Sequence, residues 1–117
     1  PNASITGTLP PYDMLRSKGA RIAVGTDSLA SNTSLSLIEE LKMFSGVTLA
    51  ELLRWATMDG AAALGIDDVY GSMEPGKRPG LVLIEGVDFS TMSLTARSTS
   101  KNMLTRCNEI APDASII

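Results

Sequence analysis

The residues best suited to chemistry lie in the stretch RIAVGTDSLASN, at positions 21–32. A short apolar run, IAV, ends at Gly25 and is followed at once by Thr26, Asp27 and Ser28. A carboxylate just beyond the end of a strand can bind a metal ion, accept a proton from bound water, or do both. The same residues are also typical of a turn, in which Asp and Ser side chains bond to nearby backbone amides. Local sequence favours the turn and leaves the chemical role of Asp27 open.

Composition excludes several other kinds of site. The chain has no histidine and a single cysteine, Cys107, so neither a Ser-His-Asp nor a Cys-His arrangement can form within it. Zinc usually takes histidine and cysteine ligands, so a complete zinc site is hard to build from this chain. The polar loop 31–34, which contains Asn32, has the groups to contact a polar ligand. Capping of the next helix is the favoured role for Ser34 in that loop.

Length and charge limit the class of protein. At 117 residues the chain has about the size of one small domain, and 44% hydrophobic with 20% charged residues is ordinary for a globular protein. A net charge of -3 argues against nucleic acid as a partner. The chain has no apolar run of the ~18 residues that a membrane span needs, so no membrane partner is expected. One cysteine fits a reducing compartment, and we expect a cytoplasmic location.

The elements that must position Asp27 follow from the apolar spacing. The strand 21–24 lies between a helix at 11–18, which Gly19 ends, and a second helix with a Ser36–Glu39 capping box. Ser34 is an alternative cap for that second helix, and Gly46 is expected to end it. The buried stripe of the second helix comprises Leu37, Ile38 and Leu41, extended by Phe44.

A strong amphipathic pattern predicts a third helix over 49–58, capped by Thr48 with Glu51, and a short helix from Asp59 to Gly65. Trp55 is expected in the core or at an interface. Beyond Ile66 the sequence predicts a type II turn at Pro75-Gly76, a strand in LVLIEG and a β segment in LTARSTSKNMLTRC. The turn residues Lys77 and Arg78 are expected to be solvated. An α/β portion at 1–66 is thus followed by a β portion at 67–106 and a tail at 107–117.

Four pieces in this order resemble the C-terminal part of the amidohydrolase superfamily. They are GTDSLASN, LIEELKMF, LAELLRWATMDGAAALGI and YGSMEPGKRPGLVLIEG. The resemblance is to the branch related to atrazine chlorohydrolase and S-adenosylhomocysteine deaminase, and it spans Pro1 to about Glu85. The opening PNAS is similar to the end of that family's Cys-Pro-x-Ser-Asn segment. The implied fold is the last strand and flanking helices of a (β/α)8 barrel, followed by strands of a small β-sandwich.

The resemblance also implies a role for each residue of the loop. Asp27 matches the aspartate that binds the metal and takes a proton from the metal-bound water, while Ser28 and Asn32 match the loop that shapes the substrate pocket. The implied reaction is hydrolytic deamination, or dechlorination, of a small nitrogen heterocycle. A divalent metal is implied, with zinc expected and iron as the alternative. The family holds its metal mainly by histidines on strands that this chain does not contain, so the segment alone is expected to be inactive and to bind metal weakly.

Two departures and one alternative accompany this interpretation. Pro79-Gly80 stand where the family usually has Ala-Asp, and the link FSGV between two helices is short. The alternative is a truncated, non-catalytic module that self-associates through exposed barrel elements. Half a barrel leaves strand edges and apolar surface uncovered, so a homo-oligomer is expected.

Overall fold

Four short helices and a two-stranded sheet make up the described part of the protein. The computed structural model describes residues 11–27 and 35–104. The helices are α1 (Tyr12–Ser17), α2 (Leu37–Leu41), α3 (Leu49–Ala56) and α4 (Met58–Ala63), and the strands are β1 (Leu81–Glu85) and β2 (Thr99–Leu104). None of these helices has the length and apolar character that a membrane crossing requires. Predictions for four stretches lie outside the described residues: PNAS, the loop 31–34, Cys107 and the tail.

Helix α1 ends as the sequence predicts. Gly19 has a φ of 75°, in the left-handed region that glycine tolerates. The N–H of Gly19 donates to the carbonyl of Arg16 at 2.9 Å, and the N–H of Ala20 donates to the carbonyl of Leu15 at 3.0 Å. This pair of bonds is the Schellman motif, which satisfies carbonyls that the end of a helix would otherwise leave without donors.

The predicted strand at 21–24 is wrong for this structure. Residues 21–27 have no strand assignment, and positions 21–25 make no backbone hydrogen bond to another described residue. A strand exists only where a neighbouring strand exchanges backbone hydrogen bonds with it. Exposure nevertheless alternates along 21–27, with Ile22, Val24 and Thr26 less exposed than the residues between them. The segment therefore has the alternating exposure of a β-strand, but it is not hydrogen-bonded to a neighbouring strand in the described part of the chain.

The two predicted capping boxes have different outcomes. Thr48 caps α3 as predicted, because its Oγ1 accepts a hydrogen bond from the N–H of Glu51 at 3.2 Å. Ser36 is the N-cap of α2, but its side chain makes no capping hydrogen bond. Helix α2 also ends at Leu41, earlier than the predicted end at Gly46.

The predicted third helix is interrupted near its end. Helix α3 stops at Ala56, because Thr57 takes φ −121° and ψ −83°, outside the helical region. Helix α4 then begins at Met58, one residue before the predicted start at Asp59. Gly65, with a φ of 72°, follows α4 in the same Schellman arrangement that ends α1.

The core lies between α2 and α3. Its buried residues are Ile38, Leu41, Leu52 and Trp55. Partly buried apolar residues from elsewhere surround them: Tyr12, Ile22, Val24, Phe44, Val47, Leu53, Ala56, Ile84 and Leu94. The ring of Trp55 meets Phe44 edge-to-face at 5.4 Å between centroids, a geometry that aromatic pairs favour. The prediction placed Trp55 in the core or at an interface, and the structure places it in the core.

The second half of the chain forms the predicted turn and strands. The N–H of Lys77 donates to the carbonyl of Glu74 at 3.1 Å and Gly76 has a φ of 89°, as a type II turn requires. Strand β1 pairs antiparallel with β2, with Leu83 opposite Lys101. Since helices and strands both occur, the α/β assignment holds, whereas the division at residue 66 stays a prediction.

Candidate functional site

Asp27 stands at the end of the segment that the sequence singles out. The residue is exposed and has a φ of 57°, in the left-handed region. Aspartate tolerates this conformation better than most non-glycine residues, although it is uncommon for any of them. The hydroxyl of Thr26 donates to the backbone carbonyl of Asp27 at 3.5 Å. The structure thus places Asp27 on the surface, at a position where the backbone departs from extended geometry.

The structure does not describe the other two predicted site residues. Ser28 and Asn32 lie outside the described residues, so their roles stay predictions. Within residues 11–27 and 35–104, no three His, Cys, Asp or Glu side chains come together as a metal-binding group. Zinc sites use three or four protein ligands. Asp27 therefore offers one ligand, and the described part of the chain does not complete a metal site.

A separate cleft of about 810 Å³ is lined by residues of α3 and of the segments around it. Five charged side chains line it, and all of them are engaged in ion pairs: Arg16, Arg21, Glu51, Arg54 and Asp59. The remaining lining is mainly apolar. Sequence patterns gave no sign of this cleft, because its walls come from positions far apart along the chain.

Arg16 and Glu51 form a forked ion pair across the cleft. Nε and Nη2 of Arg16 donate to the two carboxylate oxygens of Glu51 at 2.8 and 2.6 Å. The hydrogen bond with Glu51 raises the pKa of Arg16 above its usual value. The guanidinium also lies 5.9 Å from the ring centroid of Trp55. Since Arg16 is held in place on several sides, it joins α1 to α3 and is not available to a ligand.

Asp59 is the buried carboxylate of this region. The residue is 8% exposed, and its Oδ1 lies 3.5 Å from Nε of Arg54 and 3.7 Å from Nη2 of Arg21. Sequence reasoning assigned Asp59 only to the start of a helix. The available signal was a carboxylate within the small-residue run MDGAAAL, where a charge must find a partner once it is buried.

Two carboxyl groups at turns of the second half of the chain have lowered pKa values. The hydroxyl of Ser72 and the ammonium of Lys77 lower the pKa of Glu74. The hydroxyl of Ser90, with nearby backbone N–H groups, lowers the pKa of Asp88. Lys77 lies 3.0 Å from Glu74 and donates to Ser72, so it supports its own turn and not an anion site.

Comparison with known proteins decides the family. The sequence model described as "Amidohydrolase family" matches residues 3–117. The chain belongs to the amidohydrolase family. The resemblance carried by the four sequence pieces is thereby confirmed.

Curated relatives of this amidohydrolase chain are named as deaminases and a hydrolase. It is 35% identical over 95 residues to 5-methylthioadenosine/S-adenosylhomocysteine deaminase of Thermoanaerobacter pseudethanolicus, covering 72% of the chain and 22% of the relative. It is 30% identical to 5'-deoxyadenosine deaminase of Methanobrevibacter smithii, covering 98% of the chain and 29% of the relative. It is 27% identical to S-triazine hydrolase of Gordonia rubripertincta, covering 72% of the chain and 20% of the relative.

The amidohydrolase chain is much shorter than these proteins. Its matches span between 20% and 29% of their lengths. No solved structure matches the chain with statistical significance.

Proposed function

We propose that this chain is the C-terminal portion of a metal-dependent amidohydrolase that hydrolytically removes an amino group, or a chlorine, from a nitrogen heterocycle. The observation that carries the proposal is the family match over residues 3–117. The names of the relatives support a small adenosine-like substrate, with a triazine as the alternative. Residues 1–66 would then belong to the end of the barrel and residues 67–106 to a small β-sandwich.

Asp27 is the residue that this portion contributes to the proposed site. The amidohydrolase family generally depends on a divalent metal. The described residues do not by themselves fit such an ion, since they contain no group of three possible ligands and the chain has no histidine. On the strength of the family resemblance, we assign Asp27 as a single ligand and proton acceptor, with Ser28 and Asn32 beside the substrate. Zinc is the proposed metal, and iron is the alternative.

Under this assignment we expect the 117-residue chain to be inactive by itself. One carboxylate cannot hold a divalent ion tightly, because metal sites gain affinity from several ligands at once. The test measures ammonia release from 5'-deoxyadenosine, S-adenosylhomocysteine and an amino-triazine, with zinc added. We expect no release by the chain alone. Release that Asp27→Asn abolishes would show instead that the chain is a complete enzyme.

The role of Asp27 is tested in the protein extended by its upstream coding sequence. Asp27→Asn should lower kcat by about 10²-fold or more, the usual contribution of a positioned proton acceptor. Asp67→Asn, which changes another exposed aspartate in the same way, should leave kcat unchanged. Full activity of the Asp27→Asn protein would overturn the assigned role.

A second function is favoured by the exposed apolar surface of the sheet. Leu81, Val82 and Leu83 of β1 are 41%, 57% and 44% exposed, and Met103 of β2 is 42% exposed. Within the described residues β1 and β2 pair only with each other, so each leaves its second edge without a ladder. Unpaired edges and apolar faces favour association with another chain. A non-catalytic, self-associating module would elute above monomer size in size-exclusion chromatography, and a clean monomer at micromolar concentration would count against it.

A further inference from the structure

We draw no further inference here: the strongest candidate, the largely apolar groove of about 540 Å³ between helices α2 and α3 and the two-stranded sheet, carries nothing because nothing in the structure shows what covers it.

Discussion

At the scale of single residues, Asp27 combines an exposed carboxylate with a left-handed backbone. The φ of 57° means that a substitution changes both the chemistry and the backbone preference at this position. Asparagine and glycine accept this region, while alanine is strained in it. Loss of activity in an alanine variant would therefore mix two causes.

The backbone effect can be measured by itself. We expect Asp27→Ala to lower the free energy of unfolding by about 1 kcal/mol more than Asp27→Asn, because alanine in the left-handed region costs about 1–2 kcal/mol. Urea denaturation followed by Trp55 fluorescence gives both values. Asp67→Ala is the matched control, since Asp67 does not have a positive φ. Equal losses for the alanine and asparagine variants at position 27 would contradict the expectation.

The pH dependence of stability should involve Asp88. Its carboxylate accepts hydrogen bonds from the hydroxyl of Ser90 at 2.6 Å and from nearby backbone N–H groups, which lower its pKa below the ordinary 3.8. A lowered folded-state pKa means that the unfolded chain binds the proton more readily. The stabilisation is thus present above pH 3.8 and is lost as the pH falls through the folded-state pKa.

Replacement of this carboxyl removes that dependence. In Asp88→Asn, the free energy of unfolding should fall less steeply with decreasing pH below pH 3.8 than in the unchanged protein. Denaturation series of the two proteins at several pH values supply the slopes. An unchanged slope in Asp88→Asn would show that the Ser90 contact does not persist in solution.

At the scale of elements, three helix ends agree with the sequence: the start of α3 and the ends of α1 and α4. Thr48 caps the start of α3, because its hydroxyl oxygen accepts a hydrogen bond from the N–H of Glu51. Gly19 and Gly65 follow the ends of α1 and α4 and have positive φ values. These signals are local, because the cap and the group it satisfies lie within a few residues.

The Thr48 cap has a measurable contribution. Thr48→Ala should lower the free energy of unfolding by about 1 kcal/mol, the usual effect of removing a side-chain cap. Thr48→Ser keeps the accepting oxygen and should stay within a few tenths of a kcal/mol of the unchanged protein. If Thr48→Ser is as unstable as Thr48→Ala, the loss of stability comes from the methyl group of threonine and not from the capping oxygen.

Packing between α2 and α3 should contribute more than the caps. Leu41 is 2% exposed in the core, whereas Leu64 is 76% exposed after α4. Leu41→Ala should therefore lower the free energy of unfolding by about 2–5 kcal/mol, and Leu64→Ala by less than about 0.5 kcal/mol. Denaturant titrations of the two variants make the comparison. Similar losses would mean that the core lies elsewhere in solution.

Features that depend on distant residues were not predictable from the sequence. The pattern IAV predicted a strand, but a ladder needs a partner strand that local sequence does not specify. The Arg16–Glu51 ion pair joins residues far apart in the chain, and Asp59 is buried in α4, a helix that packs against α3. The metal role of Asp27 came from family resemblance alone, since a carboxylate after an apolar run is also a normal turn.

At the scale of the whole molecule, the two halves of the chain differ in how well they cover their apolar residues. The helical half encloses a core around Trp55. The sheet has only two strands in the described residues, and its apolar side chains are largely exposed. Two-stranded sheets are at best marginally stable in water by themselves. Within the described residues the sheet therefore keeps apolar surface that a covering element would stabilise.

A charge on the sheet tests whether a second copy covers it. Leu83 is 44% exposed and lies opposite Lys101, so Leu83→Glu adds a favourable cross-strand pair while making this face polar. If copies associate through the sheet, sedimentation velocity should show the unchanged chain above monomer size and Leu83→Glu nearer to the monomer. Leu64→Glu places the same charge at a more exposed site away from the sheet and should not shift the distribution. A monomeric unchanged chain, or equal shifts in both variants, would rule out the sheet as the contact between copies.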